Sequence, residues 1–168
     1  KEKKIIEFEE NVFFKDKIKN ITVETEKAKY NQKSDILETI GITNIKIENK
    51  YEIISSNLFY DRKSKKIYSK REATIKDISG NIYNLENSFQ LDLVKEVIST
   101  KKTNVIDTDN NIYRFENAKI NLISKEILGK ELKIDFVDNY FGILNNDPIL
   151  KGRSAISNDE QTKIYKTV

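Results

Sequence analysis

Apolar and polar residues alternate along most of this chain with a period of two, in runs of eight to twelve residues separated by short polar breaks. The alternation predicts β-strands at about 20–30, 35–48, 51–60, 66–77, 82–92, 96–106, 111–122 and 126–136, with shorter ones near 5–9 and 12–14. The breaks NQKS (31–34), NK (49–50), DRKS (61–64), SGN (79–81) and DTDN (107–110) are turn chemistry. Asn, Asp and Gly tolerate left-handed backbone, and Ser hydrogen-bonds its own neighbours. No segment sustains a 3.6-residue period, so the expected class is all-β.

One phrase occurs twice. GNIYNLEN (80–87) and NNIYRFEN (110–117) lie 30 residues apart, and EKAKYN (26–31) and SNLFYD (56–61) keep the same spacing. Self-similarity at such a period predicts stacked units of two strands and two reversals, each burying its apolar face on the next. Within a unit the apolar parity slips: from Tyr113 and Phe115 to Ala118, Ile120 and Leu122, and from Ile21 and Val23 to Ala28 and Tyr30. A mid-strand slip marks a bulge or bend. Long strands bent at a fixed point and stacked in register make a folded sheet with one apolar, lined side and one wet side. That lined side is compatible with a dry core or with a groove.

Composition narrows the chemistry. The 30 basic and 27 acidic residues leave a net charge of +3, too balanced for a nucleic-acid face. The chain has no His and no Cys, which removes the commonest general base, thiol chemistry and most transition-metal sites. DTDNN (107–111) begins like a calcium loop, but Ile112 stands at the turn-glycine position and Ala118 at the bidentate-acid position. STKK (99–102) matches a short serine–lysine pattern with no supporting element. No enzyme, cofactor or metal is expected. No apolar run reaches the length of a spanning helix. The absence of Met leads to the expectation that the chain is processed or is part of a longer protein.

Residues 147–155, DPILKGRSA, resemble the segment that joins the periplasmic domain to the barrel in the lipopolysaccharide-assembly branch of the OstA-like family, which comprises LptA, LptC and the N-terminal part of LptD. The matching positions are Asp147, Pro148, Leu150, Lys151, Gly152, Ser154 and Ala155. Upstream, Ala28, Tyr30 and Asn31, and Leu58, Tyr60 and Asp61, are similar to the strand pattern of its repeats. The resemblance implies a folded-sheet β-jellyroll (a β-taco) over 1–138, followed at 139–168 by a connecting segment and a first strand towards a C-terminal barrel. It also implies a periplasmic domain, attached to the outer membrane of a Gram-negative bacterium, that binds lipopolysaccharide, shields its acyl chains and passes it outward. Partners implied are an LptA-like module paired at the N-terminal edge strand, the barrel itself and an LptE-like lipoprotein; a stand-alone bridge protein is the alternative within the family. A non-lipid structural or adhesion module is the alternative outside it. The disulfides that often tie such domains to the barrel have no cysteine to use here. Strand parity nominates Tyr30, Ile54, Leu58, Tyr60, Ile75, Leu85, Phe89, Leu91, Phe115, Ile120, Leu132, Ile134 and Phe136 as the lining of the groove.

Overall fold

The computed structural model describes residues 4–48, 50–142, 149–157 and 161–165. Among these the chain is all-β, with strands β1 (Ile5–Asp16), β2 (Ile21–Asn31), β3 (Ile36–Ile47), β4 (Tyr51–Ser56), β5 (Phe59–Asp61), β6 (Lys66–Ser69) and β7 (Ala73–Asp77). They are followed by β8 (Ile82–Leu85), β9 (Phe89–Asp92), β10 (Val97–Ile106), β11 (Ile112–Asn121), β12 (Ile127–Asp135), β13 (Ile149–Ser157) and β14 (Thr162–Tyr165).

All pairings are antiparallel, and they form a circuit. β3 pairs β4 through residues 42–47 and β5 through residues 36–38. One branch continues β4–β7–β8 and reaches β10 at residues 103–106. The other continues β5–β6–β9 and reaches β10 at residues 97–100. Long strands at each end, β1 to β3 and β10 to β12, run through both branches. The molecule is thus two half-sheets joined along a crease, with hairpin turns along two rims.

The crease has a sequence signature. Where β2, β10, β11 and β12 cross it, two adjacent residues both face solvent and the buried parity restarts one position later, at Glu26-Lys27, Lys101-Lys102, Glu116-Asn117 and Lys130-Glu131, whereas β3 crosses through Ile40-Gly41-Ile42 with its parity kept. Left-handed backbone supports the bend at Gly41 (φ 88), Asn57 (φ 51), Asn117 (φ 69) and Glu131 (φ 51). Inside the bend the half-sheets converge, and small or hydroxylated residues fill the narrow space: Thr25, Ala28, Thr39, Thr43, Ser55, Ser69, Ala73, Thr100, Thr103 and Ala118 are buried there. The hydroxyls have work beyond size. Backbone groups freed where the branches part are paired by side chains: Thr39 Oγ1 accepts from the Leu58 N–H at 2.9 Å, and Ser55 Oγ donates to the Glu72 carbonyl at 2.6 Å.

The rims repeat as well. Asn31, Asp61, Asp92 and Asn121, spaced by 30, 31 and 29 residues, each accept backbone N–H groups of the turn they open. Four residues on, Asp35, Lys65, Glu96 and Lys125 all have positive φ. Successive turns on this rim are tied by backbone bonds from Arg62, Leu93 and Leu122 to the carbonyls of Asp35, Lys65 and Glu96. One structural unit is therefore a pair of passes from rim to rim, and the 30-residue period is its length.

Several expectations change, and the strands anticipated at 51–60, 66–77 and 82–92 each divide at the crease into two, β4 and β5, β6 and β7, and β8 and β9. The strands anticipated near 5–9 and 12–14 are one strand, β1, broken only by a register shift between Glu9 and Val12. The sheet also does not stop at 138: β13 pairs β12 from Ile149 to Ser157, and β14 pairs β13, so the segment expected to be a connector adds strands to the same sheet.

Candidate functional site

The interior between the half-sheets is one continuous apolar cluster, from Ile21 and Val23 through Ile53, Ile75, Leu91 and Ile120 to Ala155. Of the nominated lining residues, Leu58, Tyr60, Ile75, Leu85, Phe89, Leu91, Phe115, Ile120, Leu132 and Ile134 are buried in it. Tyr30 and Phe136 are half-buried and packed against it. Ile54 is a correction: it faces outward at 47% exposure, and its neighbour Ile53, fully buried, occupies the inward position. The buried parity slips at Ser56-Asn57, so the inward positions before it are Tyr51, Ile53 and Ser55 while Leu58 and Tyr60 point inward after it. Interior residues that the parity reading did not nominate include Leu37, Ile45, Ile67, Ile98 and Val105. For Ile98 and Val105 the doubled polar position Lys101-Lys102 between them is the local signal; from Leu37 to Ile45 on β3 the buried parity does not change.

Of the family-motif positions, Leu150, Lys151, Gly152 and Ser154 lie on β13. Gly152 is buried opposite Leu132, where a β-carbon would stand 2.1 Å from Ile164 Cγ2, so the glycine leaves room for the Ile164 side chain of β14. Asp147 and Pro148 lie outside the described residues.

The twice-written phrase runs from a rim to the crease. In each copy an aspartate before the turn gathers the residues that follow it. Asp77 accepts from the Asn81 N–H (3.0 Å), Asn81 Nδ2 (3.1 Å) and Tyr83 Oη (3.0 Å). Asp107 accepts from the Asn111 N–H (2.9 Å), Asn111 Nδ2 (2.9 Å) and Tyr113 Oη (3.2 Å). The Tyr and the next apolar residue then point inward, and Glu-Asn forms the bend. The phrase is eight residues long because that is half a pass.

The rims face each other across a mouth, which side chains close. At one point Tyr60 Oη and Arg62 Nε donate to Asp16 Oδ2 at 2.9 and 3.1 Å. Further along, Lys50 Nζ lies 3.4 Å from Glu96 Oε1, and Tyr51 Oη lies 3.0 Å from Glu96 Oε2 and 3.1 Å from the Leu122 carbonyl. Next, Lys125 pairs with the buried Asp77. Burial alone would raise the Asp16 carboxyl, but Arg62, Tyr60 and the N–H groups of Lys19 and Ile18 outweigh it and hold it below the usual carboxylate range. The same contest at Asp77 is won by Lys125, Asn81 and Tyr83. Burial and Asp16 push the Tyr60 phenol up, so it stays a donor.

Little space is left along the mouth. A crevice of about 60 Å³ lies beside Tyr51, Leu93 and Glu96, and a cleft of about 280 Å³ opens between the turns at 79–81, 107–109 and Lys125. At the β1 end the interior is not capped: Ile6 and Phe8, which share a face with Tyr30 and Ala28, are 37% and 41% exposed. At the far end Leu150, opposite the buried Ile134, is also exposed. Among the described residues no cluster of His, Cys, Asp and Glu is arranged to hold a metal.

Such a fold and site define an antiparallel β module with a continuous apolar interior, polar closure along one side and apolar ends. No family model matches the chain, and no curated protein matches it.

Proposed function

We propose that this chain is a lipid-shielding module: a folded-sheet β-jellyroll whose interior covers the acyl chains of lipopolysaccharide during passage across the periplasm towards the outer membrane. The observation that carries this is the single apolar interior running the length of the sheet and left apolar at both ends by Ile6, Phe8 and Leu150. Covering acyl chains in water is favourable by about 0.8 kcal/mol per buried methylene, while the sugars stay wet outside the mouth. The long β1 edge, paired among the described residues with β2 alone, is suited to strand addition by an LptA-like module. A barrel and an LptE-like lipoprotein are the partners expected beyond β14 if the chain belongs to the barrel-bearing branch. The mechanism is passive, with no bond made or broken.

A specific observation favours a second reading, a structural module with a permanently dry core: Ile45, Ile53, Ile67, Ile75, Ile98 and Ile120 are all at 0% exposure. Binding of purified lipopolysaccharide, compared with its acyl-free polysaccharide, separates the two. Retention of the lipopolysaccharide alone on size-exclusion chromatography is the expected result. Retention of neither would sink the lipid function, and equal retention of both would move any site to the outer surface.

A further inference from the structure

Backbone hydrogen bonds in this molecule run between strands, along each rim and across the crease. Rim turns are tied to their neighbours on the same rim, as in Arg62 to Asp35 and Leu122 to Glu96 on one side, and Glu48 to Asn20 and Ile78 to Lys50 on the other. At the crease, Asn57 bonds to Gly41 and Glu86 to Lys102. Among the described residues none of these backbone-to-backbone bonds joins one rim to the other. Among the described residues every hydrogen bond and ion pair across the mouth uses at least one side chain.

Those side chains alternate in sign. Along one rim they are Asp16, then Lys50 with Tyr51, then Asp77; along the other they are Arg62, then Glu96, then Lys125. Sliding one rim past the other by a unit would oppose like charges, so the alternation fixes the register of closure as well as its strength. The crease, in contrast, is lined largely by small side chains and hydroxyls, with left-handed backbone at Gly41, Asn57, Asn117 and Glu131.

We infer that these polar bridges are latches: the closed interior is one of two states, and the rims part by hinging at the crease while every backbone ladder stays intact. This rests on the acyl-chain function above. Parting the rims breaks a few side-chain contacts but bares the apolar interior to water, so the open state is sparse until an acyl chain covers that surface. A ligand that binds the open state alone shifts the population towards it, and its apparent affinity is reduced by the fraction that is open. Weakening the latches should therefore raise apparent affinity by the factor by which it raises the open population.

The absence of cysteine makes the test direct. Spin labels on Ser64→Cys and Lys17→Cys, and separately on Ile78→Cys and Ile123→Cys, span the mouth; labels on Ser64→Cys and Ile123→Cys lie along one rim as a control. Distances are measured by pulsed electron–electron resonance, without ligand and with purified lipopolysaccharide, in the parent and in Arg62→Gln/Glu96→Gln/Lys125→Gln. The expected result is a second, longer distance across the mouth that grows with lipopolysaccharide and is already enlarged in the triple variant, while the control distance is unchanged. Lipopolysaccharide bound with unchanged cross-mouth distances overturns the latch and leaves the lipid function standing. Rims that part in the folded triple variant, with no lipopolysaccharide bound, support the latch and overturn the lipid function. Should the triple variant fail to fold by circular dichroism, Glu96→Gln alone in the same assay decides, with the same opposite outcomes.

Discussion

The ring of Phe115 lies where a side chain of Gly129 would be: a β-carbon added to Gly129 would stand 2.1 Å from Phe115 Cδ1. Gly129 pairs with Ala118, three residues beyond Phe115 across the crease, so the bend in β11 lets Phe115 reach over β12. A glycine in a strand normally weakens it; here it gives an inward aromatic its volume.

Gly129→Ala is therefore expected to destabilise by about 1–3 kcal/mol through overpacking, and Gly129→Val by more. Urea unfolding followed by circular dichroism reads this. Gly142, with open space around its α-carbon, gives the contrast for side-chain volume, although its φ of 78 adds strain to any substitution there.

At Gly152 the obstruction is a single side chain, Ile164 on β14. Gly152→Ala should destabilise, and adding Ile164→Ala should recover part of the loss, giving a non-additive double-mutant cycle of about 0.5–3 kcal/mol. Additive losses would mean that β14 does not pack on β13 in solution.

Inward and outward neighbours on β4 give the sharpest check of register. Ile53→Ala should cost about 2–5 kcal/mol, whereas Ile54→Ala should stay within roughly 0.5 kcal/mol of the parent. Reversed magnitudes would place the strand one residue out of register.

Asp77 and Asp107 hold the same local turn, but Asp77 alone of the two is paired with Lys125. Asp77→Asn should cost about 3–5 kcal/mol, because it strands a largely buried ammonium; Asp107→Asn should cost nearer 1 kcal/mol, as the loss of ordinary hydrogen bonds. Both Asp16 and Asp77 have folded pKa values below their ordinary ones. Their contribution is thus fully present above the unfolded carboxylate value of about 4 and is lost as pH falls through the lower folded values. Stability measured from pH 7 downward should decline below about pH 4, and less steeply in Asp77→Asn than in the parent.

How much of this was legible beforehand depends on whether a signal is local. The period-two alternation, the turn residues and the parity slips at Glu26-Lys27 and Glu116-Asn117 are local, and each corresponds to a strand, a rim or the crease. The slip at Ser56-Asn57 was invisible because the residues before it, Ile53 and Ile54, are both aliphatic and either parity looks apolar. The continuation of the sheet in Ile149–Ser157 and Thr162–Tyr165 was hidden by a motif that resembles a connector. The closure of the mouth was beyond sequence reading altogether, since Asp16 and Arg62, Tyr51 and Glu96, and Asp77 and Lys125 meet across 45 to 48 residues of chain. Nothing short-range marks such pairs.

Site-specific photocrosslinking in cells making lipopolysaccharide tests the central claim most directly. A photoreactive phenylalanine is placed at Phe89, buried in the interior, and separately at Gln90, exposed on the outer face of the same strand. A lipopolysaccharide adduct at 89 and none at 90 is the predicted result. No adduct at 89 in a folded, exported protein would contradict the account and leave the interior as a dry core.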